Sequence, residues 1–290
     1  QMGAYYTKED ITGYISKNTV LPWLFDETKR NYSKAFSSDG EIWQKVKQSG
    51  DDYIYDAVKY GIPKEGGLFD DLPDEIKDGF RHDLEQKIVK TDDSQHLWEI
   101  RKSWNKKAPP EIALPTEIYR EVIERRKRYA EVKSKIENGE ITELNDFITY
   151  NLNIRQFAQD VIENTGDPDF LRHFYKALNR VTILDPTCGS GAFLFAAMNI
   201  LESLYEACLM RMRAFVEDED RLNETEEKTF SNKYEPFRGI LEETQNEHHP
   251  NLQYFIFKSI ILQNLYGVDI MKEAVEIAKL RLFLKLVATV

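Results

Sequence analysis

The sequence predicts an α/β fold, mostly α by residue count, in which a largely helical region precedes the start of a doubly wound parallel sheet. Three observations carry this. Val181-Thr182-Ile183-Leu184 is a short β-branched apolar run that stops at Asp185-Pro186, turns through Gly189-Ser190-Gly191 and enters a long apolar helical pattern at Ala192. Strand, acidic turn, glycines and helix are how such a sheet offers backbone N–H groups and a carboxylate to a nucleotide-like ligand. Leu265-Tyr266-Gly267-Val268-Asp269-Ile270 reads as a second short strand ending in an acid. The residues before 180 show helical periodicity and no clear strand.

Taken in order, Thr7 is a suitable N-cap with Asp10 three residues on, and Ile11, Tyr14, Ile15 and Thr19 fall at helical spacing. The first helix is therefore predicted to run to about Asn18, before Pro22. Short amphipathic helices are expected around 40–60 and 73–90, punctuated by Asp70-Asp71-Leu72-Pro73-Asp74 and Lys107-Ala108-Pro109-Pro110. Helices follow at Glu117–Glu137, ended by Asn138-Gly139, at Leu144–Asn164, ended by Thr165-Gly166-Asp167-Pro168, and at Phe170–Leu178. Beyond the glycine turn, Phe193 to about Phe215 reads as one buried helix, with Phe193 and Leu194 in the core. Glu217 to Glu227 reads as a solvated acidic run, in a loop or an exposed helix. Further helices are expected at Leu252–Gln263 and Met271–Leu286. Three segments result: an N-terminal helix over 1–19, a helical region over 20–178, and the first part of a sheet domain over 179–290 with an insertion at about 215–250.

A chain of 290 residues, 41% hydrophobic and 31% charged, can bury a sizeable core. No unbroken run of about 18 apolar residues is present, so no membrane partner is expected. Gln1-Met2-Gly3-Ala4-Tyr5 lacks a signal-peptide pattern, and Cys188 and Cys208 make no disulfide framework. A cytoplasmic protein is expected. Its 39 basic and 50 acidic side chains give a net charge of −11, which argues against the chain as a whole being an electrostatic clamp on nucleic acid. Arg120, Arg125, Arg126, Lys127 and Arg128 cluster on one helix, but interleaved Glu121, Glu124 and Glu131 favour a solvated face of ion pairs. Trp98 and Trp104 read as packing anchors, and the histidines show no metal spacing, so no metal site is expected.

The ligand can be narrowed from the turn. A dinucleotide fingerprint would place a third glycine where Leu194 stands, and Asp185 at the strand tip would repel a pyrophosphate. The same carboxylate would attract an ammonium group. Asp269, at the tip of the second strand, fits a ligand to both ribose hydroxyls. It lies 78 residues past Gly191 instead of about 20, so an insertion intervenes. A ligand with both an amino group and a ribose is S-adenosylmethionine.

The stretch Asp185-Pro-Thr-Cys-Gly-Ser-Gly-Ala-Phe-Leu resembles the first motif of the amino-group DNA methyltransferases that make N6-methyladenine. Leu265-Tyr-Gly-Val-Asp-Ile, leading into Ala274-Val-Glu-Ile-Ala-Lys-Leu-Arg-Leu, resembles their second. Gly3-Ala-Tyr5-Tyr6-Thr7 is similar to the motif those enzymes carry upstream of the first. The chain most resembles the large restriction–modification and phage-exclusion methylases, and the motifs cover about a tenth of it. The resemblance implies a Rossmann-like methyltransferase sheet, S-adenosylmethionine as cofactor and double-stranded DNA as partner. It implies that Asp185 meets the methionine amino group, and that Pro186, Thr187, Cys188, Gly189, Ser190 and Gly191 form the turn lining the methionine end. Asp269 would bind the ribose and Ile270 pack on the adenine, while Tyr5, Tyr6 and Thr7 close the pocket; the alternative for Tyr5 and Tyr6, a staple for the first helix, is the less favoured reading. Cys188 reads as a small buried residue, not a reactive thiol.

That family's catalytic tetrapeptide, Asn/Asp/Ser-Pro-Pro-Tyr/Phe, has no counterpart; Ala108-Pro109-Pro110-Glu111 lacks both the polar and the aromatic residue. No catalytic residue is therefore assigned. The chain is expected to be the cofactor-binding front part of a larger enzyme, with the remainder of the same polypeptide as its partner, and inactive alone. Two alternatives stay open: a non-catalytic S-adenosylmethionine-binding or interaction module, and a protein or RNA N-methyltransferase built on the same motifs.

Overall fold

A computed structural model describes residues 7–86, 94–225 and 233–290; Tyr5, Tyr6 and the end of the acidic run, Glu226-Glu227, lie outside them. The protein is mostly helical with a two-stranded parallel sheet. It divides into two compact units, one of residues 1–46, 142–149 and 153–290, the other of residues 47–141 and 150–152.

In the first unit, α1 (Glu9–Asn31) starts later and runs much further than expected, and α2 (Glu41–Gln48) follows it in the chain. Lys8, not Thr7, takes the N-cap position, with extended backbone and no side-chain capping bond, leaving Thr7 exposed outside the helix. Pro22 does not end the helix. Its missing N–H and ring clash cost about 3 kcal/mol, but Val20, Leu21, Leu24 and Phe25 around it are all buried. Burying a large aliphatic or aromatic side chain stabilises by roughly 1.5–3 kcal/mol, so four of them outweigh the proline. The buried face also differs from the sequence reading: Thr12, Ser16 and Val20 point inward, whereas Ile11, Tyr14 and Ile15 are exposed.

Where one helix was expected over 144–164 there are two, α7 (Leu144–Thr149) and α8 (Ile154–Asn164). Asn151 between them has φ +52°, and Asn153 caps α8 by accepting the Gln156 N–H at 3.2 Å. Helix α9 (Pro168–Arg180) has proline at its start and Asp167 as N-cap, a matched pair of start signals. Phe25, Phe157, Phe170 and Phe174 stack into one aromatic core, Phe25 lying 5.5 Å from Phe157 and 5.2 Å from Phe174.

Helix α10 (Ala192–Thr225) threads this core. One stretch of it has mean hydropathy 1.4, enough to cross a bilayer by length and composition alone, because single polar residues interrupt the apolar run without lowering its average much. Of that stretch 61% is buried, beneath α1, α8 and α9. The helix also carries the acidic run as far as Thr225. Glu219 there is buried, not solvated, because Arg238 of α11 (Glu235–Thr244) pairs with it at 3.1 Å.

Strands β1 (Ile183–Asp185) and β2 (Leu265–Gly267) pair in parallel, Ile183 with Leu265 and Asp185 with Gly267. Between α10 and β2 come α11, α12 (Leu252–Ser259) and a π-helical turn, Ile260–Asn264. Helix α13 (Lys272–Val287) follows β2. Among the described residues no third strand extends this sheet.

The register is pinned by Asn264, which is completely buried. Its amide donates to the carbonyls of Leu178 at 3.0 Å and Val181 at 2.8 Å, and its own oxygen accepts from the Tyr205 hydroxyl at 3.2 Å. One side chain thus ties the entry of β2 to the end of α9 and the approach to β1.

The second unit holds α3 (Asp56–Lys59), α4 (Asp74–Gln86), α5 (Ser94–Arg101) and α6 (Tyr119–Glu137). The basic cluster of α6 is not a row of helical ion pairs. Arg126 is fully buried, paired with Asp71 at 2.5 Å and donating to the carbonyls of Leu68 and Gly61. Arg125 pairs with Glu117 at 2.8 Å and donates to the carbonyls of Val58, Tyr60 and Ile112. Both arginines are therefore structural. Trp104 is buried, its indole N–H donating to the Ile76 carbonyl at 3.1 Å. Trp98 departs from the expected packing role, being 66% exposed at the rim of a 450 Å³ hollow with Arg101, Lys102 and Arg120.

Candidate functional site

The tips of β1 and β2 bring Asp185 and Asp269 to one end of the sheet. Past the paired residues the strands stay linked, since the Val268 N–H donates to the Asp185 carbonyl and the Cys188 N–H to the Val268 carbonyl, both at 2.9 Å. The turn then wraps tightly, the Gly191 N–H donating to the Cys188 carbonyl at 2.7 Å, and α10 begins as Phe195 N–H reaches the Gly191 carbonyl at 2.9 Å.

The two glycines do different work. Gly189 has φ +51° and a side chain there would meet open space, so the residue leaves a free surface at the turn. Gly191 has φ +90°, and a Cβ would sit 3.3 Å from that of Ala278 on α13. Its bareness serves helix packing. Gly267 has the same kind of role in β2, where a Cβ would fall 3.0 Å from Leu194 and 3.1 Å from the Cys188 sulfur. Leu194 is buried and Phe193 half-buried.

Asp185 is buried and half satisfied. Its Oδ1 accepts the Thr187 N–H at 3.1 Å, while Oδ2 is buried without a hydrogen-bond partner. A lone buried carboxylate oxygen is costly. This orphan atom, in the same turn as the open position at Gly189, fits a cationic donor supplied by a ligand. Pro186 and Thr187 are exposed around it, and Ser190 is half-buried.

Asp269 is organised by the backbone. Its Oδ2 accepts the Gly189 N–H and its Oδ1 the Met271 N–H, each at 2.8 Å. These bonds, from Met271 first and Gly189 second, hold its carboxyl below the ordinary range. Sequence reasoning gave Asp269 a ligand role only; it also latches one motif to the other. Next to it, Ile270 is fully exposed. Burial, with Asp185 and Asp269 nearby, pushes the Cys188 thiol up, which disfavours the thiolate. Among the described residues, no group of three or more histidines, cysteines or acids could hold a metal ion.

A cavity of 460 Å³ adjoins the turn, running between β2 and α13. Cys188, Leu194 and Gly267 form its end nearest the turn, and Leu282, Phe283 and Leu286 its apolar wall. Arg281, absent from the sequence-derived set, reaches the turn from α13 and donates to the Ser190 carbonyl at 2.6 Å. The only signal for it in the sequence was its place in the motif-like Lys279-Leu280-Arg281-Leu282.

Residues 155–288, which include both acids and the whole turn, match the family model described as MmeI, DNA-methyltransferase domain. The chain is also similar to a putative type II restriction enzyme and methyltransferase of Methanocaldococcus jannaschii, with 32% identity over 155 residues. That alignment covers 53% of this chain and 10% of the archaeal protein. No solved structure matches.

Proposed function

We propose that this chain is the S-adenosylmethionine-binding part of a DNA methyltransferase that methylates adenine at N6, within a restriction–modification or phage-defence system. The observation that carries this reading is the unpartnered, buried Oδ2 of Asp185, in the same turn as the open position at Gly189. It calls for a cation at the turn, and Asp269 supplies a second acceptor where a ribose would lie. The similarity of residues 155–288 to a methyltransferase domain supports the same assignment.

In this reading Asp185 binds the methionine amino group, and Pro186 to Gly191 shape the surface along the methionine. Asp269 accepts from the ribose hydroxyls, and exposed Ile270 covers the adenine. Tyr5, Tyr6 and Thr7 are proposed to close the pocket. When bound, S-adenosylmethionine supplies an electrophilic methyl group on its sulfonium. The chain contains no Asn/Asp-Pro-Pro-Tyr tetrapeptide to hold a target amino group. By itself it should bind the cofactor and leave DNA unmethylated; duplex DNA is the partner of the whole protein.

Titration calorimetry tests the reading. The chain should bind S-adenosylmethionine, and Asp269→Ala should weaken binding more than about tenfold, or ~1.4 kcal/mol. Unchanged affinity in the variant would remove Asp269 from the ribose site. Methylated DNA made by the whole protein and digested to nucleosides should contain N6-methyladenine. A cofactor-binding protein that modifies no DNA would favour the non-catalytic or protein and RNA alternatives.

A further inference from the structure

We infer that Arg281 is a positioning residue for the cofactor cradle, fixing the peptide between Ser190 and Gly191; this rests on the function proposed above. Its Nη1 donates to the Ser190 carbonyl at 2.6 Å and lies 3.2 Å from the Ser190 hydroxyl oxygen. The guanidinium carbon sits 4.5 Å above the centre of the Phe195 ring, in the first turn of α10. A planar guanidinium can stack and donate at once, which an ammonium cannot do equally well.

The turn needs such a restraint. Ser190 stands between Gly189 at φ +51° and Gly191 at φ +90°. Glycine adopts either sign of φ at little cost, so the Ser190–Gly191 peptide plane, whose flip changes the φ of Gly191, can turn over. A flip at Ser190–Gly191 would reverse a carbonyl and an N–H in the surface proposed to line the methionine. Three bonds hold the turn, two of them on this peptide. The Gly191 N–H is held by the Cys188 carbonyl at 2.7 Å, the Gly189 N–H by Asp269 at 2.8 Å, and the Ser190 carbonyl by Arg281. Two of the three come from the segment after β2. The turn of one motif is thus fastened by the acid and the arginine of the other.

The test compares the parent chain with Arg281→Met, which keeps an unbranched apolar stem, and Arg281→Lys, which restores one donor. Two readouts are used: S-adenosylmethionine affinity by calorimetry, and amide hydrogen exchange of residues 187–192 without ligand. Arg281→Met should bind roughly five- to tenfold more weakly, and exchange in that segment should quicken, while the melting temperature and exchange elsewhere stay unchanged. Arg281→Lys should recover most of both. Parental affinity and parental exchange in Arg281→Met would overturn the inference. A melting temperature that falls in step with affinity, without rescue by lysine, would also overturn it, because it would show a merely structural contact. If the parent chain fails to bind S-adenosylmethionine, the proposed function fails, while the exchange comparison still decides the role of Arg281.

Discussion

Asp185→Asn should move stability and binding in opposite directions. Asp185 is 8% exposed, with one oxygen satisfied by Thr187 N–H and the other buried without a partner. Leaving a buried acceptor unsatisfied costs about 1–3 kcal/mol, and more if it is charged. Asparagine has the same shape, keeps a carbonyl oxygen for Thr187, and replaces the charged orphan with a neutral one. The ligand-free chain should therefore gain on the order of 1 kcal/mol. For a unit of this size that raises Tm by roughly 2–4 °C. The same change removes the charge proposed to meet the cofactor's amino group, so S-adenosylmethionine affinity should drop at least about tenfold. Thermal melts with and without S-adenosylmethionine, together with calorimetry, measure both arms. A variant less stable than its parent would show that the carboxylate has a structural partner. A variant that binds as tightly as its parent would remove Asp185 from the amino-group site.

Asn264→Leu removes three buried hydrogen bonds and takes the amide donor from the Leu178 and Val181 carbonyls, so urea unfolding should show a loss of about 2–4 kcal/mol; a loss under about 1 would mean the sheet register does not depend on it. Arg126→Met should cost about 3–5 kcal/mol by the same assay, since it leaves Asp71 and the carbonyls of Leu68 and Gly61 without their donor. The Arg126 hydrogen bond lowers the Asp71 pKa, so that pair's stabilisation is complete above the unfolded value of 3.8 and vanishes as pH falls through the depressed folded value. Urea midpoints followed down from about pH 5 should therefore fall more steeply in the parent than in Arg126→Met, and parallel curves would contradict this. Gly61→Ala should be strongly destabilising, because φ is +63° and the new Cβ would lie 2.5 Å from the Ile112 backbone; a neutral melt would show that this turn can move.

What could be read from the sequence was local. The β1–turn–α10 segment and the acid after β2 are contiguous stretches whose residue types fix their geometry, and the structure brings Asp185, Gly189 and Asp269 together. What could not be read depends on partners far along the chain. Arg125 and Arg126 looked like members of a solvated helix face, yet their carboxylates are Glu117 and Asp71, and no local spacing reveals the second pairing. The break near Asn151 did carry a signal, in Tyr150-Asn151-Leu152-Asn153, two asparagines that favour left-handed and capping backbone. It was outweighed by apolar spacing that continues across the gap. Pro22 failed as a helix end for the converse reason: tertiary burial on both sides exceeds the penalty of one missing hydrogen bond. On α1, the periodic Ile11, Tyr14 and Ile15 suggested a buried face, but the same helix offers small Thr12 and Ser16 one step round, and close packing takes those.

In the role proposed for it, Asp269 would be a ligand residue and a scaffold residue at once. A carboxylate has about four lone-pair positions. Two are used by the N–H groups of Gly189 and Met271, one on each oxygen. Two remain, enough for a pair of neighbouring hydroxyls without releasing either backbone bond. The turn can therefore stay latched while a ribose is held, and it need not be ordered at the moment of binding. Ordering before binding spares the conformational entropy that a loose glycine turn would otherwise lose, about 1–2 kcal/mol for each backbone residue fixed. Asp185 complements this by holding one acceptor unused, the one proposed to meet the cofactor's amino group.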